Sequence, residues 1–271
     1  PATDYYPGND IKMIEKELDL WYLGILKKVW ATFARTVEMQ KKKFEEAVAK
    51  QFSGLKVTEE DVRHVLIKSK LNSEKPTQWS DADLAGFAQA LRKYTKPMII
   101  AANKVDRPNG KDNYEKIKKE FDYPIVPCFA EGELALREAD KHGMIDYVPG
   151  NTEFKVVKEL SAGQKNALEN ISKMMKEYGS TGIQEVMNKA VFDILKYNAV
   201  YPAGLKLVDS KGNVLPDCYL MPPNSTALDF AYRLHSDIGR DFVKAVQIKG
   251  GRAVGKDYVL KNGDGLEILT K

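Results

Sequence analysis

The chain has 271 residues, 43% of them apolar and 30% charged, which is enough for two or three compact units with separate cores and excludes a single small domain. Lys and Arg total 42 against 38 Asp and Glu, and the resulting charge of +4 permits a nucleic-acid partner without requiring one. An aromatic share of 10% excludes a disordered chain, while the uncharged apolar runs, Pro97 to Ala102 among them, fall far short of the ~20 residues that cross a bilayer. The first predicted element is a long helical stretch in which Ile11, Ile14, Leu18, Trp21, Ile25, Val29 and Phe33 recur at steps of three or four. Val37, Phe44, Val48 and Phe52 carry the stripe on more loosely, and such a stripe needs a partner helix. Gly54 reads as a terminator. Thr58 with Asp61 then opens a helix carrying Val62, Val65 and Leu66, and Ser80 with Asp83 opens another carrying Leu84, Phe87, Ala88 and Leu91. Residues 1–94 are thus expected to form a helical unit, with Lys41-Lys42-Lys43 read as a solvated helix face in preference to an RNA contact.

At Lys96 the texture changes. Met98 to Ala102 is a short apolar run between Pro97 and the polar Asn103-Lys104, as expected of a buried parallel strand, and Tyr123 to Pro127 looks like a second. A helix over Tyr114 to Glu120 separates them, so the segment reads as α/β. Two further helices are expected, one opening at Ser161 with Gln164 as its reciprocal cap and one after Gly179 with Thr181 as its cap. From Asn198 onward the pattern alternates with period two, broken by turns at Asp209 to Gly212, Gly250-Gly251 and Asn262 to Gly265. One helix interrupts it, with Asn224 or Ser225 near its cap. Strands around a single helix predict a small α+β domain of β-grasp type.

The most informative tetrad is Asn103-Lys104-Val105-Asp106, directly after a buried strand. Guanine presents its N1 and exocyclic N2 hydrogens side by side, and one carboxylate accepts both, so Asp106 at the end of a parallel strand suits selection of guanine. Adenine has no matching pair of donors. Asn103 would brace the loop through its amide, and the alkyl stem of Lys104 would lie over the base. His64, His142 and His235 are scattered without ligand spacing, so no metal site is expected, and Cys128 and Cys218 support neither a disulfide framework nor a zinc site.

The run from Lys96 to Asp106, then Ala130 to Glu133 leading into Leu134 to Arg137, then Tyr147 to Gly150, then Gly179 to Glu185, resembles the latter part of an archaeal-type Obg/YchF-related GTPase. Ser225-Thr226 with Asp229, Ala231, His235, Asp237 and Gly239, followed by Val254 to Tyr258 and Asn262 to Asp264, is similar to a TGS domain, the ubiquitin-like module of such GTPases, threonyl-tRNA synthetases and stringent-response enzymes. The resemblance implies a helical insert domain over 1–94, the C-terminal half of a P-loop GTPase-type α/β domain over 95–197, and a TGS domain over 198–271. It implies GTP or GDP as ligand, read by Asn103, Lys104 and Asp106, with Mg2+ only in an intact protein. Where the family usually carries Ser-Ala, this chain has Cys128-Phe129-Ala130, leaving the Ala130 backbone N–H to meet the guanine O6.

Nucleotide hydrolysis also needs a Gly-rich loop around the phosphates, a Lys, and a Ser or Thr on magnesium. Gly250 to Lys256 has the spacing, but Asp257 replaces the hydroxyl residue and the context is a sheet turn. The expectation is therefore that the sequence begins inside a longer protein, after its phosphate-binding half, and is inactive as given. The family implies a GTPase with a ribosome or RNA partner, and the short apolar runs with no basic-then-apolar start lead to the expectation of a cytoplasmic protein with no membrane role. The alternative is a non-catalytic TGS-containing adaptor for RNA or the ribosome, with Lys244, Lys249, Arg252, Lys256 and Lys261 as its basic contacts.

Overall fold

The computed structural model describes residues 6–202 and 217–271, so the expected turn at Asp209 to Gly212 lies outside the described residues. Helix starts are set by four reciprocal caps among the described residues: Thr58 with Asp61, Ser80 with Asp83, Ser161 with Gln164, and Thr226 with Asp229. In each, the hydroxyl accepts the backbone N–H three residues on while that residue's side chain accepts the cap's own N–H, so two otherwise orphaned donors are satisfied at once. By contacts the chain divides into two units, one running to Tyr147 and including Thr152–Thr181, the other comprising Val148–Asn151 and Gly182–Lys271.

The first unit opens with α1 (Gly8–Lys27), α2 (Trp30–Gln40), α3 (Phe44–Gln51), α4 (Glu59–Ser69) and α5 (Asp81–Thr95). The expected single stripe over residues 11–52 is thus three helices. Val29 leaves the helical region with ψ near 0°, and Lys41 ends α2 in the left-handed conformation with φ of 50°, so Lys41-Lys42-Lys43 is a turn between two helices and not the expected helix face. The buried face of α1 is also rotated from the expected one: Ile11, Tyr22 and Leu26 are buried, whereas Ile14 and Trp21 are exposed. The cause is Arg92 of α5, which is fully buried and donates to Asp19 at 2.7 Å with Glu15 at 3.7 Å. That cation draws the acidic side of α1 inward, because a buried charge is tolerable only when paired. Tyr123 adds to the cluster by donating to Glu15. Tyr22, Val48, Phe52, Phe87 and Leu91 fill the core between these helices.

The same unit continues with β1 (Ile100–Asn103), α6 (Gly110–Glu120), β2 (Ile125–Cys128) and α7 (Ala130–Lys141). β1 and β2 pair in parallel, with Asn103 opposite Cys128. Both strands sit one or two residues later than the hydrophobic runs predict, and β1, expected to be buried, is only half-buried to exposed, since β2 is its one paired neighbour among the described residues. A two-residue antiparallel pair, β3 (Ile145–Asp146) with β4 (Lys155–Val156), and the long α8 (Ala162–Tyr178) complete the unit. Phe129, Leu136, Ile145 and Met175 are the most buried side chains of the apolar cluster around these elements.

The second unit begins with α9 (Ile183–Asn188), which widens into a π-helical turn over Lys189–Ile194. The remaining elements are β5 (Asn198–Pro202), β6 (Tyr219–Met221), α10 (Ala227–Leu234), α11 (Ser236–Arg240), β7 (Phe242–Gln247), β8 (Ala253–Val254) and β9 (Asp264–Thr270). They form a five-stranded sheet in the order β6-β5-β9-β7-β8, with β5 parallel to β9 and the other pairs antiparallel. The amphipathic α10 buries Ala227, Phe230 and Ala231 against Val200, Met221, Ala245 and Leu266. This is the β-grasp arrangement. Its helix is capped by Thr226, one or two residues beyond the expected Asn224 or Ser225. Gly250 and Gly251, with φ of 96° and 64°, turn β7 into β8, where Gln247 donates to the Arg252 carbonyl at 2.9 Å. The phosphate-loop spacing at Gly250 to Lys256 is therefore a hairpin turn.

Candidate nucleotide-base site

Parallel pairing brings the C-terminal ends of β1 and β2 to one edge, and the loops that leave them meet there. Asn103 ends β1. Its side-chain carbonyl accepts the Lys104 N–H at 2.9 Å and the Ala130 N–H at 3.1 Å, so one amide ties the two loops together. Lys104 then turns left-handed with φ of 69°, and the Val105 N–H donates to the Cys128 carbonyl at 3.2 Å, burying Val105. Arg107 N–H and Gly110 N–H close two successive turns onto Lys104 and Arg107 carbonyls. Gly110 has to be glycine, since a Cβ there would stand 2.4 Å from the Lys104 carbonyl oxygen and 2.8 Å from the Val105 Cα. The turn therefore presses the start of α6 against the backbone of the tetrad.

Asp106 follows, with 27% of its side chain exposed and the Arg107 Nε at 3.6 Å. Arg107 also pairs with Glu131 of the second loop. The carboxylate is thus held beside solvent by a short, twice-turned loop. An exposed carboxylate of this kind can accept two parallel N–H donors from a planar partner. Lys104 is exposed at the same edge.

A third segment braces the second loop from beneath. Phe129 donates its N–H to the Thr181 carbonyl at 3.1 Å, and Thr181, fully buried, donates its hydroxyl to Glu133 at 2.5 Å. Glu133, on the first turn of α7, also accepts Tyr147 Oη at 2.8 Å and Arg137 Nε at 2.6 Å. Burial alone would push this carboxyl upward, but the three donors outweigh it and hold Glu133 below the ordinary carboxylate range. Thr181 is consequently not the cap of α9, whose N-cap is Gly182 with φ of 83°.

Residues 101–204 match the family described as Obg-like GTPase YGR210-like, G4 motif-containing domain, and residues 207–270 match the TGS domain. The uncharacterized GTP-binding protein MJ1332 of Methanocaldococcus jannaschii is 40% identical over 273 residues, covering 100% of this chain and 68% of the relative. The chain belongs to the YGR210-like family of Obg-like GTPases. It spans about two thirds of the length of that relative. A solved GTP-binding protein from Pyrococcus horikoshii superposes with a TM-score of 0.74 at 39% identity, covering 99% of this chain and 73% of that one. The YchF GTPase of Schizosaccharomyces pombe, at 14% identity, a TM-score of 0.52 and coverage of 99% and 67%, shares the fold.

Of the residues singled out from sequence, Asn103, Lys104, Asp106 and Ala130 all stand at this edge, and Asn103 braces two loops where one was expected. The Ala130 N–H is already engaged by Asn103. Glu133, Arg137 and Tyr147 were not singled out for a role, and Thr181 only as a helix cap; Glu133 with Arg137 four residues on has the spacing of an ordinary surface ion pair, which hides the buried cluster. Among the described residues no cluster of three or more His, Cys, Asp or Glu side chains suits a metal ion, and no helix is long and apolar enough to cross a membrane.

Proposed function

We propose that this chain supplies the base-recognition part of a guanine-nucleotide site, with Asp106 accepting the N1 and N2 hydrogens of guanine. The observation that carries this reading is the convergence of the Asn103 to Asp106 loop and the Ala130 loop, bridged by the Asn103 side chain, at the C-terminal ends of two parallel strands. The guanine O6 would share the Ala130 N–H with Asn103, and the Lys104 stem would cover one face of the ring. Membership of an Obg-like GTPase family and relatives named as GTP-binding proteins support GTP or GDP as the ligand.

Hydrolysis would draw its Gly-rich phosphate loop, lysine and magnesium ligand from residues other than these, in a protein longer than this chain; no described residue is assigned to Mg2+. Boundaries at 94/95 and 197/198 would then separate a helical insert, the base-recognising half of the GTPase domain and the TGS domain. A cytoplasmic role at the ribosome or on RNA, with Lys244, Lys249, Arg252, Lys256 and Lys261 meeting phosphates, completes the proposal.

Its test is Asp106→Asn in a form of the protein that includes a phosphate-binding loop. Loss of a charged acceptor for two donors should weaken GDP by about tenfold to a hundredfold and raise affinity for xanthosine diphosphate. Calorimetry that finds GDP binding unchanged, or no preference for GDP over ADP in the parent, overturns the assignment.

A further inference from the structure

A groove of about 840 Å³ opens between α2 and α3, remote in sequence from the base site. One wall presents Val29, Thr32, Phe33, Thr36 and Val37, and the other Lys43, Glu46, Ala47, Lys50 and Gln51. Both sets follow the three-and-four spacing of a helix face, so two helices turn matching stripes toward a shared channel. The floor is apolar and preformed: Phe33 is half-buried, and Trp30 stacks on it with ring centroids 5.7 Å apart.

Charge around this floor is placed at its ends. Lys42 and Lys43 lie in the turn that joins the two helices, while Lys28 precedes α2 and Lys50 stands in the last turn of α3. None of the four has an ion-pair partner among the described residues. The only acid on the walls, Glu46, sits between the two basic ends. The lining residues run over 29–37 on one wall and 43–51 on the other, so at a rise of about 1.5 Å per residue the channel is about 12 Å long, a little over two helical turns.

We propose that this groove docks a short amphipathic helix of a partner protein, with apolar side chains at i, i+3, i+4 and i+7 in the middle and acidic residues at both ends. Cations at the ends and hydrocarbon between them match that pattern, and laying an apolar helix face into such a channel is a recurrent recognition mode. A nucleic-acid strand fits less well. Its phosphates repeat along the whole length, so they would run past Glu46 and leave the apolar floor against sugar and phosphate. The proposal is independent of the nucleotide reading.

The test uses the full chain and a fluorescein-labelled helical peptide carrying four leucines at that spacing between two pairs of glutamates. A scrambled peptide of the same composition and a single-stranded oligoribonucleotide are the competitors. We expect the patterned peptide to bind at least about tenfold tighter than the scramble, and the triple substitution Lys42→Glu, Lys43→Glu, Lys50→Glu to weaken it about tenfold. These lysines are exposed, so the thermal melt should not move; a photo-crosslinker in place of Thr36 should label the peptide. Equal binding of the scramble, no binding of the patterned peptide, unchanged affinity in the triple variant, or preferential binding of the oligoribonucleotide that the triple variant abolishes each overturns it.

Discussion

Glu133 shows how much one side chain can organise. It is 4% exposed and satisfies three donors from three segments: Arg137 on its own helix, Tyr147 after β3, and Thr181 after α8. Removing the acceptor strands the Thr181 hydroxyl in a buried place and takes one partner from Tyr147 Oη. Glu133→Ala should therefore cost about 2–4 kcal/mol in urea unfolding, more than deletion of an exposed glutamate. The pH dependence has a definite sign. Because the folded-state pKa is depressed, the stabilisation is fully present above the unfolded-state value and is lost as pH falls through the folded one. The stability difference between the parent and Glu133→Gln should accordingly be flat at neutral pH and shrink only below about pH 4. A difference that peaks in acid would contradict the donor-dominated environment.

At the level of elements, the tight packing of the tetrad loop against α6 depends on Gly110. A Cβ there meets backbone, not the movable end of a side chain, so the loop or the helix start must shift. Gly110→Ala should cost about 1–3 kcal/mol despite the better helix propensity of alanine. The sign discriminates: a stabilising effect, as expected from propensity alone, would show that the loop gives way freely. The capping boxes at Ser80, Thr58 and Ser161 were legible in sequence because both halves of each lie within four residues of one another, whereas the one at Thr226 was placed one or two residues early, at Asn224 or Ser225. The cap expected at Thr181 was not, since that hydroxyl has a tertiary partner 48 positions earlier, Glu133. The buried face of α1 went the same way. Periodicity selects the most apolar stripe, but Arg92 of α5, 73 positions beyond Asp19, decides which stripe turns inward.

For the whole molecule, the consequence of two units with separate cores is partial independence in unfolding. Phe230 is fully buried between α10 and the five-stranded sheet. Phe230→Ala should destabilise that unit by about 3–5 kcal/mol. Calorimetry should then show one transition displaced downward while a second, from the unit containing α1 to α8, keeps its temperature. A single transition that moves as a whole would mean that the two cores melt as one.

Local chemistry is what the amino-acid order determined: the apolar runs of β1 and β2, the reciprocal caps, the alternation and turns of the β-grasp unit, and a carboxylate three residues beyond a strand. These depend on neighbours within a few positions, so they can be read without the fold. Tertiary structure alone decided which side of α1 is buried, that the Ala130 N–H donates to the Asn103 side chain, and that Glu133 is a buried acceptor for three segments. Each of those outcomes rests on a polar group that had to find a distant partner once water was excluded, and no local pattern encodes where that partner will be.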